Sequence, residues 1–126
     1  MARLPRIDLA GFHHVINRGV ERREIFIDKE DYDEFLTLLC QQCVKYEVDV
    51  HSYCLMSNHY HLLIETHQEN LSKFMRAINA QYAAYFNRKY KRVGHLWQGR
   101  FKSWFVTDEA YLYTLIKYIE YNPLKA

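Results

Sequence analysis

The stretch Ser57-Asn58-His59-Tyr60-His61-Leu62-Leu63-Ile64-Glu65 carries two histidines one residue apart, inside a run that otherwise reads as strand. Successive side chains of a strand point to opposite faces. His59 and His61 therefore project side by side from one face, and Tyr60, Leu62 and Ile64 from the other. Two neighbouring imidazoles can both reach one divalent cation, and neutral imidazole is a common metal ligand. An ion held by two imidazoles and a side-chain oxygen keeps open positions for phosphate oxygens. There it would polarise and orient a phosphodiester.

A second reactive set lies towards the C-terminal end. Asp108 is placed to cap a helix from Glu109 to about Asn122, closed by Pro123. Leu112, Leu115, Ile116 and Ile119 form its apolar stripe. Tyr118 and Asn122 are four apart, so they share one flank of that stripe. A tyrosine and an amide at the edge of a buried face can meet a metal held by a strand beneath. Tyr111 lies on the same flank nearly two turns earlier. On geometry alone Tyr118 and Tyr111 are both candidates, and either could be a packing tyrosine of the helix. A tyrosine hydroxyl is a weak nucleophile at its free pKa near 10, and a nearby cation eases its deprotonation. Attack on phosphorus would store the bond as a phosphotyrosine link for later rejoining. A hydrolase would use water and would not need the tyrosine.

The elements that must position these residues follow in chain order. Gly11-Phe12-His13-His14-Val15-Ile16-Asn17-Arg18-Gly19 reads as a first strand bracketed by glycines. Asp28-Lys29-Glu30-Asp31 opens a helix, with acids near its positive end. Tyr32, Phe35, Leu36, Leu39, Cys40 and Cys43 give it an apolar face. The Cys40-x-x-Cys43 pair falls on that face, and Cys54 is the sole other cysteine, so zinc is not expected. Val48 to Met56 reads as strand, Ser57-Asn58 as a tight turn, and the two strands form a hairpin. Asn70-Leu71-Ser72-Lys73 starts a second helix running to about Lys89, with Leu71, Phe74, Ile78, Tyr82, Tyr85 and Phe86 inward. After a basic loop, His95 to Val106 reads as a strand region kinked at Gly99. The order strand, helix, strand, strand, helix, strand, helix suits an antiparallel α+β sandwich. Residues 1–126 read as one domain, with no linker or internal repeat.

Composition narrows the setting. At 49% hydrophobic the chain is not disordered. No apolar run approaches the roughly 20 residues of a membrane helix, and no signal core follows the N-terminus. A cytoplasmic location with no membrane partner is expected. Three cysteines do not make a disulfide framework. The net charge of +2 hides an asymmetry. Nine acids lie between Val20 and Asp49. Between Asn70 and Thr107 there is none, against eight basic residues: Lys73, Arg76, Arg88, Lys89, Lys91, Arg92, Arg100 and Lys102. Such a segment is a candidate polyanion surface, and tyrosines and tryptophans among the charges suit stacking on unpaired bases.

Four ordered motifs carry a resemblance to a family. His59-Tyr60-His61 resembles the paired histidines of HUH single-strand nucleases, and Tyr118-Ile119-Glu120-Tyr121-Asn122-Pro123 resembles the signature of single-tyrosine HUH transposases. His14 to Gly19 and Gly94 to Ser103 are similar to segments of the REP-associated tyrosine transposases. The resemblance implies a ferredoxin-like α/β plait with a central antiparallel sheet. It implies metal-dependent cleavage and rejoining of single-stranded DNA next to hairpins, through a 5′-phosphotyrosine. By motif match Tyr118 is the nucleophile, His59 and His61 are metal ligands, and Asn122 is a third ligand. The metal would be Mg²⁺ or Mn²⁺, with imidazole favouring Mn²⁺ in vitro. The acting unit would be a monomer or a homodimer. The contrasting expectation is a hairpin-binding module without catalysis. Two departures stand out: position 60 is an aromatic residue, not an aliphatic one, and the chain ends three residues after Pro123, where many relatives continue with a basic tail.

Around that centre, Arg18, Arg88, Lys89, Lys91, Arg92, Arg100 and Lys102 are expected to contact phosphates. Trp97, Phe101 and Tyr90 are candidates to stack bases, and Trp104 and Phe105 are expected in the core.

Overall fold

The computed structural model describes residues 7–121. Four strands, β1 (Gly11–Arg18), β2 (Val48–Leu55), β3 (His59–Thr66) and β4 (Lys102–Val106), form one antiparallel sheet in the order β2-β3-β1-β4. Helices α1 (Lys29–Tyr46) and α2 (Leu71–Lys89) complete a βαββαβ plait, and α3 (Glu109–Tyr121) follows β4. This is the ferredoxin-like α+β architecture expected from the motifs. No helix among the described residues is long and apolar enough to cross a membrane.

Directly paired residues of antiparallel neighbours share a face, so the register sorts the sheet into two sides. Val15 lies opposite Leu62, and His13 opposite Ile64. Val15, Tyr60, Leu62 and Ile64 are fully buried against α1 and α2, with Phe35, Phe74, Ile78, Tyr82 and Phe86. On the other side Cys54 and Leu63 meet Ile119 of α3, flanked by Leu112 and Ile116. Helix α3 thus covers the β2–β3 half of that face, while the β1–β4 half stays open.

A bulge in β2 lets one strand serve both sides. Val50 pairs with Ile64 but Ser52 pairs with Leu63, so His51 is the extra residue. One added residue exchanges the faces of everything beyond it. Val48 and Val50 therefore face α1, whereas Ser52 and Cys54 face α3.

Three expectations need correction. The predicted strand over His95–Val106 is strand only from Lys102. Ile16 pairs with Lys102 and Gly19 bridges Trp97, so three steps on β1 are matched by five on the other segment. The surplus loops out around Gly99. The inner face of α1 is Asp31, Phe35, Leu38, Leu39 and Gln42, so Cys40 is exposed and Cys43 half-buried. Both line a shallow cavity beside the β2 edge, and Cys43 also packs against the core cluster. Trp104, expected in the core, is 46% exposed, because β4 is an edge strand and this residue lies on the open half.

The α1–α2 pair is locked by one buried carboxylate. Asp28 and Asp31 form a capping box at the start of α1. Asp31 is fully buried and accepts hydrogen bonds from the Ile27 amide (2.9 Å), Tyr85 Oη (2.7 Å), Lys89 Nζ (2.9 Å) and Tyr90 Oη (2.6 Å). Burial by itself would push the carboxyl up. Hydrogen bonds from Tyr90, the Ile27 amide, Tyr85 and Lys89 outweigh it and pull the pKa from 3.8 down to about 2. A depressed acid stabilises the fold above its ordinary pKa and loses that contribution as pH falls through the folded value. The shift corresponds to about 2 kcal/mol. The Asp31 contribution, read as the difference in denaturant midpoint between wild type and Asp31→Asn, is expected to be level near neutrality and to shrink between about pH 4 and pH 2. Asp31→Asn should lose about 2 kcal/mol or more at pH 7 and converge on the wild type below about pH 2, as equilibrium unfolding of both across pH will check.

Candidate active site

The two histidines enter from a turn that is fastened to the chain after β1. Gly19 N donates to Asn58 O at 2.9 Å, and Ile25 N to Ser57 O at 2.7 Å. This approach requires a glycine at position 19, since a Cβ there would collide with the Arg23 carbonyl and stand 2.9 Å from Ile25 Cγ2. Asn58 then turns back on its neighbour, with its Oδ1 2.8 Å from His59 Nδ1, while its Nδ2 donates to Arg22 O. An amide oxygen only accepts, so His59 carries its hydrogen on Nδ1 and leaves Nε2 with a lone pair.

His59 and His61 share the α3 side of β3, with ring centroids 5.2 Å apart. Tyr60, between them, points into the opposite core and donates to Asn79 Oδ1 at 2.7 Å. Arg18 lies opposite His59 in the register, and Ile16 opposite His61. His61 is nearly buried. Its Nδ1 is 3.2 Å from Nε2 of His14, and the two rings stack 5.4 Å apart. The ring of Tyr118 stands edge-on to His61 at 6.2 Å between centroids, while the residue remains 53% exposed. Ile119 beside it is fully buried against Leu63 and Cys54. One residue of α3 therefore anchors the helix, and the next presents a hydroxyl-bearing ring to the histidines.

These imidazoles are poor bases. Burial, followed by the influence of His14, His59 and Arg18, lowers His61 to about 4. Burial and then Arg18 lower His59, and burial lowers His14. At neutral pH the rings are uncharged, the form that ligates metals. Five buried side-chain atoms among the described residues lack a hydrogen-bond partner, and none belongs to His14, His59 or His61. The donor set, two neutral imidazoles each tied at Nδ1, fits a divalent cation bound through Nε2.

His59, His61, Tyr118 and Arg18, singled out in the sequence, thus meet at one corner. Tyr111 is also exposed, two turns back on α3. Asn122 lies outside the described residues. Two further groups bring three candidate ligands within 4.8 Å, Asp49-Glu65-His67 and Asp28-Glu30-Asp31. The first is a surface ion-pair cluster, and the second is occupied by Lys89.

The basic residues divide sharply. Arg18, Arg100 and Lys102 line a cavity of about 550 Å³ on the open half of the sheet, together with Ile16, Asn17, Gln98, Phe101 and Trp104. Arg88 and Lys91 are exposed around the end of α2. Arg92 bonds Asn87 Oδ1 and the His95 carbonyl. Lys89 is bound to Asp28, Glu30 and Asp31, and Tyr90 to Asp31, so both serve the helix lock. Trp97 donates to the Asn79 carbonyl at 2.9 Å, and its ring packs edge-on against Tyr60. Phe101 is buried.

Residues 11–122 match the family described as "Transposase IS200 like". The chain belongs to the IS200-like transposases. Over 107 residues, 75% of its length, it is 27% identical to a Haemophilus influenzae protein described as a REP-associated tyrosine transposase, and it spans 61% of that relative. A REP-associated tyrosine transposase solved bound to a REP hairpin superposes with a TM-score of 0.78. That match covers 99% of this chain and 74% of the other at 17% identity. A transposase structure from Deinococcus radiodurans gives a TM-score of 0.63, covering 95% of this chain and 96% of the other at 19% identity. The resemblance carried by the four motifs is borne out, and so is the fold.

Among the residues of this IS200-like site, sequence reasoning missed His14 as a contact of His61. The His13-His14 pair was visible, and strand alternation sends one of the two to each face. Which one meets His61 depends on the β1–β3 register, which local pattern does not give.

If α3 is docked as described, Ile119→Ala should destabilise the protein by about 2–4 kcal/mol, the cost of emptying a buried site. Tyr118→Phe, at a half-exposed position, should change stability by less than about 0.5 kcal/mol. Chemical denaturation of both variants measures the contrast.

Proposed function

We propose that this chain cleaves and rejoins single-stranded DNA beside hairpins, with Tyr118 as the nucleophile. The observation that carries this reading is the placement of the Tyr118 ring beside His61, next to a pair of neutral imidazoles. His59 and His61 would hold Mn²⁺ or Mg²⁺ through their Nε2 atoms, with Asn122 the expected third ligand. Once bound, the ion would supply Lewis-acid polarisation of the scissile phosphodiester.

Each protein group then has a definite task. Tyr118 Oη forms the bond to phosphorus and releases its proton to solvent. The bond from phosphorus to the 3′ oxygen breaks, and that oxygen takes up a proton and leaves as a hydroxyl. The fragment on the 3′ side of the cut stays on Tyr118 through its 5′-phosphate, and the other fragment leaves with a free 3′-hydroxyl. Rejoining runs in reverse, with an incoming 3′-hydroxyl displacing the tyrosine, so the linkage is conserved without an external energy source. Arg18, Arg100 and Lys102 bind the flanking phosphates, and exposed Trp104 offers a face on which an unpaired base stacks. Arg88 and Lys91 extend the basic surface along the end of α2. A hairpin substrate agrees with the relative solved on a REP hairpin.

The direct test is covalent trapping on labelled hairpin-containing single strands with Mn²⁺, read on a denaturing gel. A shifted band that vanishes with EDTA and in Tyr118→Phe, and persists in Tyr111→Phe, is expected. Cleavage without a shifted band would point to a water-using phosphoesterase. Binding across several hairpins with neither cleavage nor band would point to a DNA-binding module.

Salt dependence separates the basic residues. Arg100→Ala and Lys102→Ala should each reduce the slope of log affinity against log salt by about 0.7, the loss of one single-strand phosphate contact. Trp104→Ala should weaken binding by about 1–3 kcal/mol with the slope unchanged. Lys89→Ala should leave the slope unchanged and lower stability instead. Fluorescence titrations at several salt concentrations will distinguish the three behaviours.

A further inference from the structure

We infer that His14 is a positioning residue for the histidine pair: its Nε2 accepts the Nδ1 hydrogen of His61, which fixes the His61 ring and keeps its Nε2 lone pair turned towards the site. The inference rests on the proposed metal role of His61, but its central claim concerns the protein without any ion.

The geometry is specific. Only one hydrogen fits between His14 Nε2 and His61 Nδ1 at 3.2 Å. If His61 donates it, neutral His61 has a bare Nε2 and can ligate. If His14 donates it, neutral His61 must carry its own hydrogen on Nε2 and is blocked as a ligand there. The partner nitrogen of a ligating histidine normally donates to a carboxylate, a carbonyl or water. His61 meets another imidazole in that place, and an imidazole can act as either donor or acceptor. His59 already shows the pattern, since Asn58 Oδ1 can only accept and so fixes Nδ1 as the protonated atom. His14 would give His61 the same tautomer, making the pair symmetric in chemistry though not in partner.

His14 is also held firmly enough to orient a neighbour. It is 7% exposed, stacks on His61 with 17° between ring planes, and lies 5.5 Å from the ring of Trp104 on the adjacent strand. The alternation of β1 sends His13 to the other face, where its Nε2 contacts the Leu9 carbonyl at 2.8 Å. Of two adjacent histidines, only His14 can serve.

The first measurement is long-range ¹H–¹⁵N correlation on metal-free protein with ¹⁵N-labelled histidine, at a pH where the rings are neutral. His61 is expected as the Nδ1–H tautomer in the wild type. In His14→Phe, which keeps a stacking ring but no acceptor, it should shift towards Nε2–H. His14→Gln, whose amide oxygen can accept, should restore Nδ1–H. A wild-type His61 already protonated on Nε2, or a tautomer indifferent to His14→Phe in a folded variant, would overturn the inference.

Mn²⁺ affinity, read by electron paramagnetic resonance of the free ion, gives the second readout. It is expected to fall about 10–100-fold in His14→Phe, the range typical for loss of such a supporting partner, and to recover substantially in His14→Gln. Equal loss in both variants would mean that His14 only packs, and would also overturn the inference. A wild type that binds no Mn²⁺ yet shows the expected tautomers would refute the metal reading of the site and leave the His14–His61 bond standing.

Discussion

The antiparallel pairing of β1 with β3 sets Arg18 opposite His59, Ile16 opposite His61, and His14 one step further along the same face. Side chains alternate with period two, so a slip of one residue would exchange both faces of β1 at once. Val15 would leave the core, His13 and Asn17 would come to the side of the histidines, and Arg18 would turn away. Burial of Val15 against Leu62 penalises that slip on one side of the sheet. The amide of Gly19 bound to the Asn58 carbonyl penalises it at the strand end. The register that makes a core on one side of the sheet is thus the register that makes a site on the other.

The two sides carry unequal loads. Helices α1 and α2 bury the large aromatic cluster and are cross-tied through Asp31. Helix α3 rests on a small apolar contact among Cys54, Leu63 and Ile119. That light cover leaves the β1–β4 half of the face uncovered, where Trp104, Arg100 and Lys102 line a cavity next to the histidines. A face sealed completely by helices would have stabilised the sheet and left no room for a strand of nucleic acid.

Much of this was legible in the sequence because the signals are local. The alternation around His59 and His61, the turn at Ser57-Asn58, the acids opening α1 and the periodic stripe of α2 all report on their own elements, and the structure agrees with them. What escaped was set by partners distant in sequence. Lys89 and Tyr90 look like surface residues of a basic loop until Asp31, nearly sixty positions earlier, is seen to collect both. Trp104 looks like core until β4 is known to be an edge strand under no helix. Cys40 has the spacing of an inward residue, but α1 is rotated so that Leu38 and Gln42 are inside instead. His14 is the clearest case, since its role depends on a register that no local pattern encodes. Between Tyr118 and Tyr111 the helical spacing could not choose. The motif match favoured Tyr118, and it is the Tyr118 ring that stands beside His61.

The distance along the chain between His61 and Tyr118 has a consequence for how the protein is made. The two are separated by 57 positions, and α3 is the last described element to be synthesised. At typical elongation rates of 5–20 residues per second, roughly 3–11 s pass between the two residues. During that interval the nascent chain has its histidines but not the Tyr118 ring that comes to stand beside them. Because a ring from α3 must dock on a sheet built earlier, a molecule translated only as far as β4 has the paired histidines without their aromatic neighbour. The order of synthesis therefore assembles this corner in two stages: the contact between Tyr118 and His61 arises only once α3 has joined a sheet made earlier.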